Sequence, residues 1–222
     1  MLAAVAHRSA LFPAVPSARL EQASTMAPAG HPGRPKHTRG GLMLVPDQVY
    51  PEGELKKPIE ATEQGSLDRA LVMVPTLTGM RIGEVLGLTW PAVDFKANVI
   101  NVRLNLVVAK NENGVELKAP KSKKSRRTLD MPRELAHELK LWKLKCPPSE
   151  HDLVFTTIAG GFIHRKNAGQ IFDQIIERAN KERQQQDKVK RLTFHKLRLH
   201  VCIVAAIQGQ GYYRSEPAFR AL

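Results

Sequence analysis

Four side chains, spread over about half the sequence, carry the chemistry that can be read first: Arg81, Lys121, His195 and Arg198. Arg81 stands in "TLTGMRIGEVLGL", after a Thr78-Gly79 turn signal and three residues before Glu84, on the same side of a helix. Glu84 can therefore hold the guanidinium still. Lys121 opens a basic turn, "PKSKKSRRT", with Lys123, Lys124, Arg126 and Arg127. His195 and Arg198 in "FHKLR" lie three apart on one helical face. Each motif alone is commonplace, because exposed ion pairs and lysine-rich turns are usually solvated surface. Taken together they describe a trap for a phosphodiester. Arginine forks grip phosphate oxygens and neutralise the charge that crowds the phosphorus in the transition state. A lysine can protonate the departing oxygen. Such a site needs no metal or other cofactor, and no acidic or Cys/His cluster with ligand spacing occurs in the sequence.

The elements that must position these groups follow from periodicity. Gly83 and Gly87 lie four apart and let another backbone approach one face of the Arg81 helix, which should run to Trp90-Pro91. Before it, "GSLDRALVMVPTLTG" reads as a helix capped by Ser66, its end disturbed by Pro75. "PEGELKKPIEATEQ" is helical, kinked or shortened by Pro58. The period then changes to two: Ile100, Val102, Leu104, Leu106 and Val108 alternate along a half-buried strand. "KNENG" turns the chain, "VELKAPK" returns, and "SKKS" turns again into "RRTLDM", so three antiparallel strands are expected. Pro132 should open a helix with Leu135, Leu139 and Trp142 on its apolar stripe. "DLVFTT" reads as a short buried segment, "NAGQIFDQIIERAN" as another amphipathic helix and "KERQQQDKVK" as a charged linker. "LTFHKLRLHVCIVAAIQGQG" is a last helix, capped by Thr193 and ended by Gly209.

Composition limits the partners. Lys and Arg total 34 against 21 Asp and Glu, a net charge of +13, which favours a polyanion and above all nucleic acid. Aromatics make up only 5% of the chain, too few for a protein that stacks single-stranded bases, so an RNA-binding module fits less well than a binder of duplex DNA. No run approaches the length of a membrane span, and no membrane partner is expected. Cys146 and Cys202 stand far apart, as in a reducing compartment. Residues 1–46 contain six of the fifteen prolines and one acid, Glu21, and read as a disordered basic arm.

The set of motifs, in this order, resembles the catalytic domain of the tyrosine recombinases, the phage integrase family, over residues 47–211. "TGMRIGEVLGLTW" resembles the family's first box, "PKSKKSRRTLDMP" its lysine hairpin and "TFHKLR" its second box. The resemblance implies an α+β fold, a mainly helical catalytic domain with a small three-stranded antiparallel sheet. It implies Arg81, Lys121, His195 and Arg198 as catalytic residues, with Glu84 in support and Lys123, Lys124, Arg126 and Arg127 on DNA. It further implies double-stranded DNA as partner, DNA recombination or integration as function, and the bacterial cytoplasm, at the nucleoid, as location. In the family a tyrosine attacks the scissile phosphate and stays on the 3′ side as a phosphotyrosine.

Two departures stand out. The second box continues Arg198-Leu199-His200 where the family has Arg-His-Thr. Tyr212 and Tyr213 follow Arg198 too closely for the family's nucleophile, and residues 212–222 do not match the family's pattern. The expectation is therefore a truncated or frameshifted integrase that lacks its own tyrosine and works, if at all, with an intact integrase subunit. Its alternative is a non-catalytic DNA-binding remnant. Val201, Ile203, Val204 and Ile207 would then be left short of cover.

Overall fold

The computed structural model describes residues 52–109, 114–120, 126–181, 188–189 and 193–207. The Pro-rich arm, Lys121, Lys123, Lys124, Gly209, Tyr212 and Tyr213 lie outside the described residues, as do the side chains of Ile203, Val204 and Ile207.

Helix α1 (Glu52–Glu60) ends two residues after Pro58, and buries Leu55 and Ile59. Helix α2 (Leu67–Thr78) starts at Ser66, whose hydroxyl accepts the Arg69 N–H at 3.2 Å. It is the central helix: Ala70 to Pro75 are all buried, so water is excluded from every side of those turns. Pro75 does not break it. The helix runs on to Thr78 and stops at Gly79, which takes a left-handed φ of 59° and donates to the Pro75 carbonyl. Burial on all sides offsets the one hydrogen bond that proline removes.

Helix α3 (Ile82–Leu86) is shorter than the sequence suggests. Gly87 ends it, and Trp90–Ala92 forms a separate 3-10 turn. The reason is the neighbouring strand. A Cβ on Gly87 would stand 2.9 Å from the Leu106 nitrogen, and one on Gly83 would stand 3.0 Å from the Leu106 carbonyl oxygen. The two glycines thus admit a passing backbone, as their spacing implies.

That backbone belongs to strand β3 (Asn105–Val108), which pairs with β4 (Val115–Lys118) as a two-stranded ladder. Strand β2 (Val99–Val102) pairs on one side with β1 (Val93–Asp94) and on the other with β5 (Arg127–Asp130), all antiparallel. The three-stranded sheet is therefore present, with one strand exchanged. The long alternating segment divides at Arg103-Leu104, the "VELKAPK" strand joins only β3, and the third place is taken by β1. Two-residue β1 is too short to show a period, and its turn is held locally: Asp94 Oδ1 accepts the N–H groups of Lys96 and Ala97, and Asn98 takes φ 52°.

Helix α4 (Arg133–Lys145) begins just after Pro132 and buries Leu135, Leu139 and Trp142. The Trp142 indole N–H donates to the Val154 carbonyl at 2.7 Å, fixing the buried segment Leu153–Thr156. Helix α5 (Arg165–Asn180) buries Ala168, Phe172, Ile175, Ile176 and Ala179. Helix α6 (Phe194–Ile207) starts at Thr193, whose hydroxyl accepts the Lys196 N–H. It packs along α2, with Leu197 buried and the Phe194 ring 4.8 Å from that of Phe172. Among the described residues no helix is long and apolar enough to cross a membrane.

Candidate active site

The α2–α3 corner collects the first box. Gly79 turns the chain out of α2, Met80 is fully buried, and Arg81 becomes the N-cap of α3 with an extended backbone (φ −70°, ψ 149°). The Arg81 N–H donates to Glu84 Oε2 at 2.8 Å and its Nη1 donates to Glu84 Oε1 at 3.0 Å. A carboxylate three residues into a helix thus ties down both the entry of the chain and the side chain that leaves it. Met80 anchors one side of Arg81 and Ile82 the other, so the guanidinium projects outward, with the side chain 56% exposed.

Helix α6 delivers the second box to the same corner. Arg198 Nη1 donates to the Gly79 carbonyl at 3.2 Å, two residues before Arg81. His195, one turn earlier on α6, is exposed. Arg81, Glu84 and Arg198 are therefore brought together although 117 residues separate the two arginines (198 − 81).

The lysine hairpin reaches this corner by its return end. Arg126 is exposed, and β5 begins at Arg127. Arg127 does not face outward with Arg126. It is 5% exposed, and its two terminal nitrogens meet the two oxygens of Glu84, Nη1 to Oε1 at 2.9 Å and Nη2 to Oε2 at 2.7 Å. Its assignment to the DNA-contacting set is therefore corrected: this guanidinium is spent on a buried carboxylate. The sequence held the signal. Arg127, Leu129 and Met131 alternate with Thr128 and Asp130, so Arg127 shares the inward face of β5.

Glu84 is itself only 4% exposed. Burial raises its carboxyl pKa, while the Arg127 hydrogen bonds and charge, with the Arg81 contacts, lower it by more; the net pKa lies below the ordinary carboxylate value. Glu84 is thus held as an anion. Two further buried polar groups escape sequence reading. Glu138, on the apolar stripe of α4, accepts the Gly65 N–H at 2.6 Å and pairs with Arg69 Nε at 3.2 Å. His200, two residues after Arg198, is buried, and desolvation lowers its pKa to about 4. Among the described residues no group of His, Cys, Asp or Glu is arranged to hold a metal ion.

This is the corner at which a helical domain with a small antiparallel sheet brings together arginines from two distant boxes. The phage integrase family model matches residues 50–206, and the chain belongs to that family, with the tyrosine recombinase catalytic-domain fold. It is 30% identical over 152 residues to a XerC-like tyrosine recombinase of Caldanaerobacter subterraneus subsp. tengcongensis, a match covering 60% of this chain and 38% of that protein. The chain thus spans well under half the length of this curated relative. Among solved structures, the Tn1549 transposon integrase in complex with transposon right end DNA is similar with a TM-score of 0.63 at 21% identity, over 73% of this chain and 54% of that one. XerA recombinase is similar with a TM-score of 0.53 at 21% identity, over 82% and 58% of the two chains.

Proposed function

We propose that the chain binds duplex DNA and seats a backbone phosphate at the α2–α3 corner, in DNA breakage and rejoining of the integrase type. The observation that carries this reading is the Arg198 hydrogen bond to the Gly79 carbonyl, two residues before the exposed Arg81. In this reading Arg81 and Arg198 hold the non-bridging oxygens, where the charge of the transition state builds up. His195 hydrogen-bonds the same phosphate, and Lys121 protonates the 5′ oxygen as its bond to phosphorus breaks. Lys123, Lys124 and Arg126 contact neighbouring phosphates and supply affinity without sequence preference. The net charge of +13 favours the same partner. The DNA bound by the Tn1549 integrase points to the same ligand class for this chain.

Tyr212 and Tyr213 follow Arg198 by only 14 and 15 residues (212 − 198 and 213 − 198) and are not assigned as the nucleophile; in this reading an intact integrase subunit supplies it. The same spacing supports a second reading, a DNA-binding remnant that occupies sites without cutting them. Incubation with a nicked duplex, followed by denaturation, tests both. The chain alone should bind duplex DNA with a steep salt dependence and give no covalent adduct. An adduct formed only when an intact relative with its tyrosine is added supports catalysis in partnership. An adduct abolished by Tyr212→Phe or Tyr213→Phe would show that the chain carries its own nucleophile and would refute both readings. In cells the chain should co-purify with the nucleoid.

A further inference from the structure

The Glu84 carboxylate sits between two guanidiniums, and the three groups together carry one net positive charge. The two arginines differ in where that charge can act. The Arg127 side chain is 6% exposed and meets both oxygens of Glu84, whereas Arg81 is 56% exposed and meets one oxygen through Nη1. With both its oxygens already met by a buried partner, Glu84 holds the Arg81 side chain through one hydrogen bond and not through a fork. Without that partner, the nearest cation able to pair with a buried anion is Arg81, whose planar fork would turn inward onto both oxygens.

We propose that Arg127 is a positioning residue for phosphate binding: by occupying both oxygens of Glu84 it leaves the Arg81 guanidinium facing outward with its charge available to a phosphate. This rests on the phosphate-binding reading above. The buried pair acts as a neutral base on which Arg81 is oriented, and its position is fixed by strand register, since Arg127 pairs with Val102 across β2–β5. The hydrogen-bonded Glu84 thereby fixes the direction of Arg81 while Arg127 prevents full neutralisation.

The test is equilibrium binding of the full chain to an arbitrary-sequence duplex of about 30 base pairs over a salt series, each neutralised phosphate contributing about 0.9 to the slope of log K against log salt. Arg81→Ala should lower the slope by about 0.9, reporting the contact itself. Arg127→Met should lower it by a similar amount although Arg127 is buried, because Arg81 is drawn onto Glu84. Adding Glu84→Gln to Arg127→Met removes the anion that captures Arg81 and should restore the slope; a loss caused only by a damaged fold would not be restored by a second change in the same buried pair. Arg127→Lys keeps the charge but grips one oxygen, and should fall between wild type and Arg127→Met. It also keeps the proposal testable should Arg127→Met fail to fold, because Glu84→Gln should restore binding in that background as well. A wild-type slope in folded Arg127→Met or Arg127→Lys, or a loss that Glu84→Gln leaves in place, would overturn the proposal. If Arg81→Ala itself leaves the slope unchanged, the phosphate-binding reading fails instead.

Discussion

Gly87 packs directly on the backbone of Leu106, so closely that a methyl group on Gly87 would stand 2.9 Å from the Leu106 nitrogen. The contact joins the end of α3 to strand β3 and explains why the first box contains two glycines four residues apart. Gly87→Ala should therefore destabilise the protein by about 1–3 kcal/mol, because strand backbone cannot yield as a side chain can. Urea unfolding with an unchanged m value would check it. Gly83→Ala first meets the side chain of Asn105, so the double variant Gly83→Ala with Asn105→Ala should be milder than Gly87→Ala.

Arg198 should matter to binding more than its hydrogen bond to Gly79 suggests. Arg198→Ala removes the charge held at the Gly79 carbonyl, and duplex DNA affinity should fall with a salt slope smaller by about 0.9. Arg198→Lys retains charge but loses the fork, and should recover the slope without the full affinity. Fluorescence anisotropy with a labelled duplex at several salt concentrations separates the two effects.

Glu138 is a structural counterpart of Glu84. It joins α4 to the start of α2 through Gly65 and Arg69, and it is 3% exposed. Glu138→Ala leaves the Gly65 N–H without its acceptor and the Arg69 guanidinium without its counter-charge. The expected loss is about 3–5 kcal/mol, read by thermal or urea unfolding. DNA affinity of the variant that remains folded should be nearly unchanged, since Glu138 lies on the helix pair away from the arginine corner.

His200 makes stability pH-dependent. Its folded pKa, about 4, lies below the ordinary 6.5, so between these values the unfolded chain binds the proton more readily. The stabilising effect of a neutral His200 is complete above pH 6.5 and declines as pH falls towards 4, by up to about 3 kcal/mol. Glu84 acts at lower pH. Its folded pKa is depressed, so its contribution is complete above its unfolded pKa and is lost as pH falls through the folded one. Unfolding free energies measured between pH 4 and 7 should fall as pH is lowered in wild type and stay flatter in His200→Phe.

Much of this was legible in the sequence. The Thr78-Gly79 turn, the Ser66 and Thr193 caps and the apolar stripe of α4 are local, each depending on residues within a turn or two, and each stands where the sequence places it. The Arg81–Glu84 contact stands at the three-residue spacing read from the sequence, although Arg81 is the N-cap and not a residue of the helix. The three-box order points to the integrase family, which the match over residues 50–206 establishes.

What the sequence alone could not decide was pairing across distance. Alternation along Ile100–Val108 specifies an extended chain, but not that it divides at Arg103 between two sheets. Pro75 reads as a disturbance of the end of α2 until the buried surroundings of that helix are known. Arg127 reads as one more cation of a basic turn, because charge suggests solvent while the period of its strand points inward; the buried carboxylate of Glu84, 43 residues away, decides between them. Local propensity is a property of neighbouring residues and can be read along the chain. The choice of a partner for a strand or a buried charge depends on which distant groups the fold brings within reach, and only the tertiary structure supplies that.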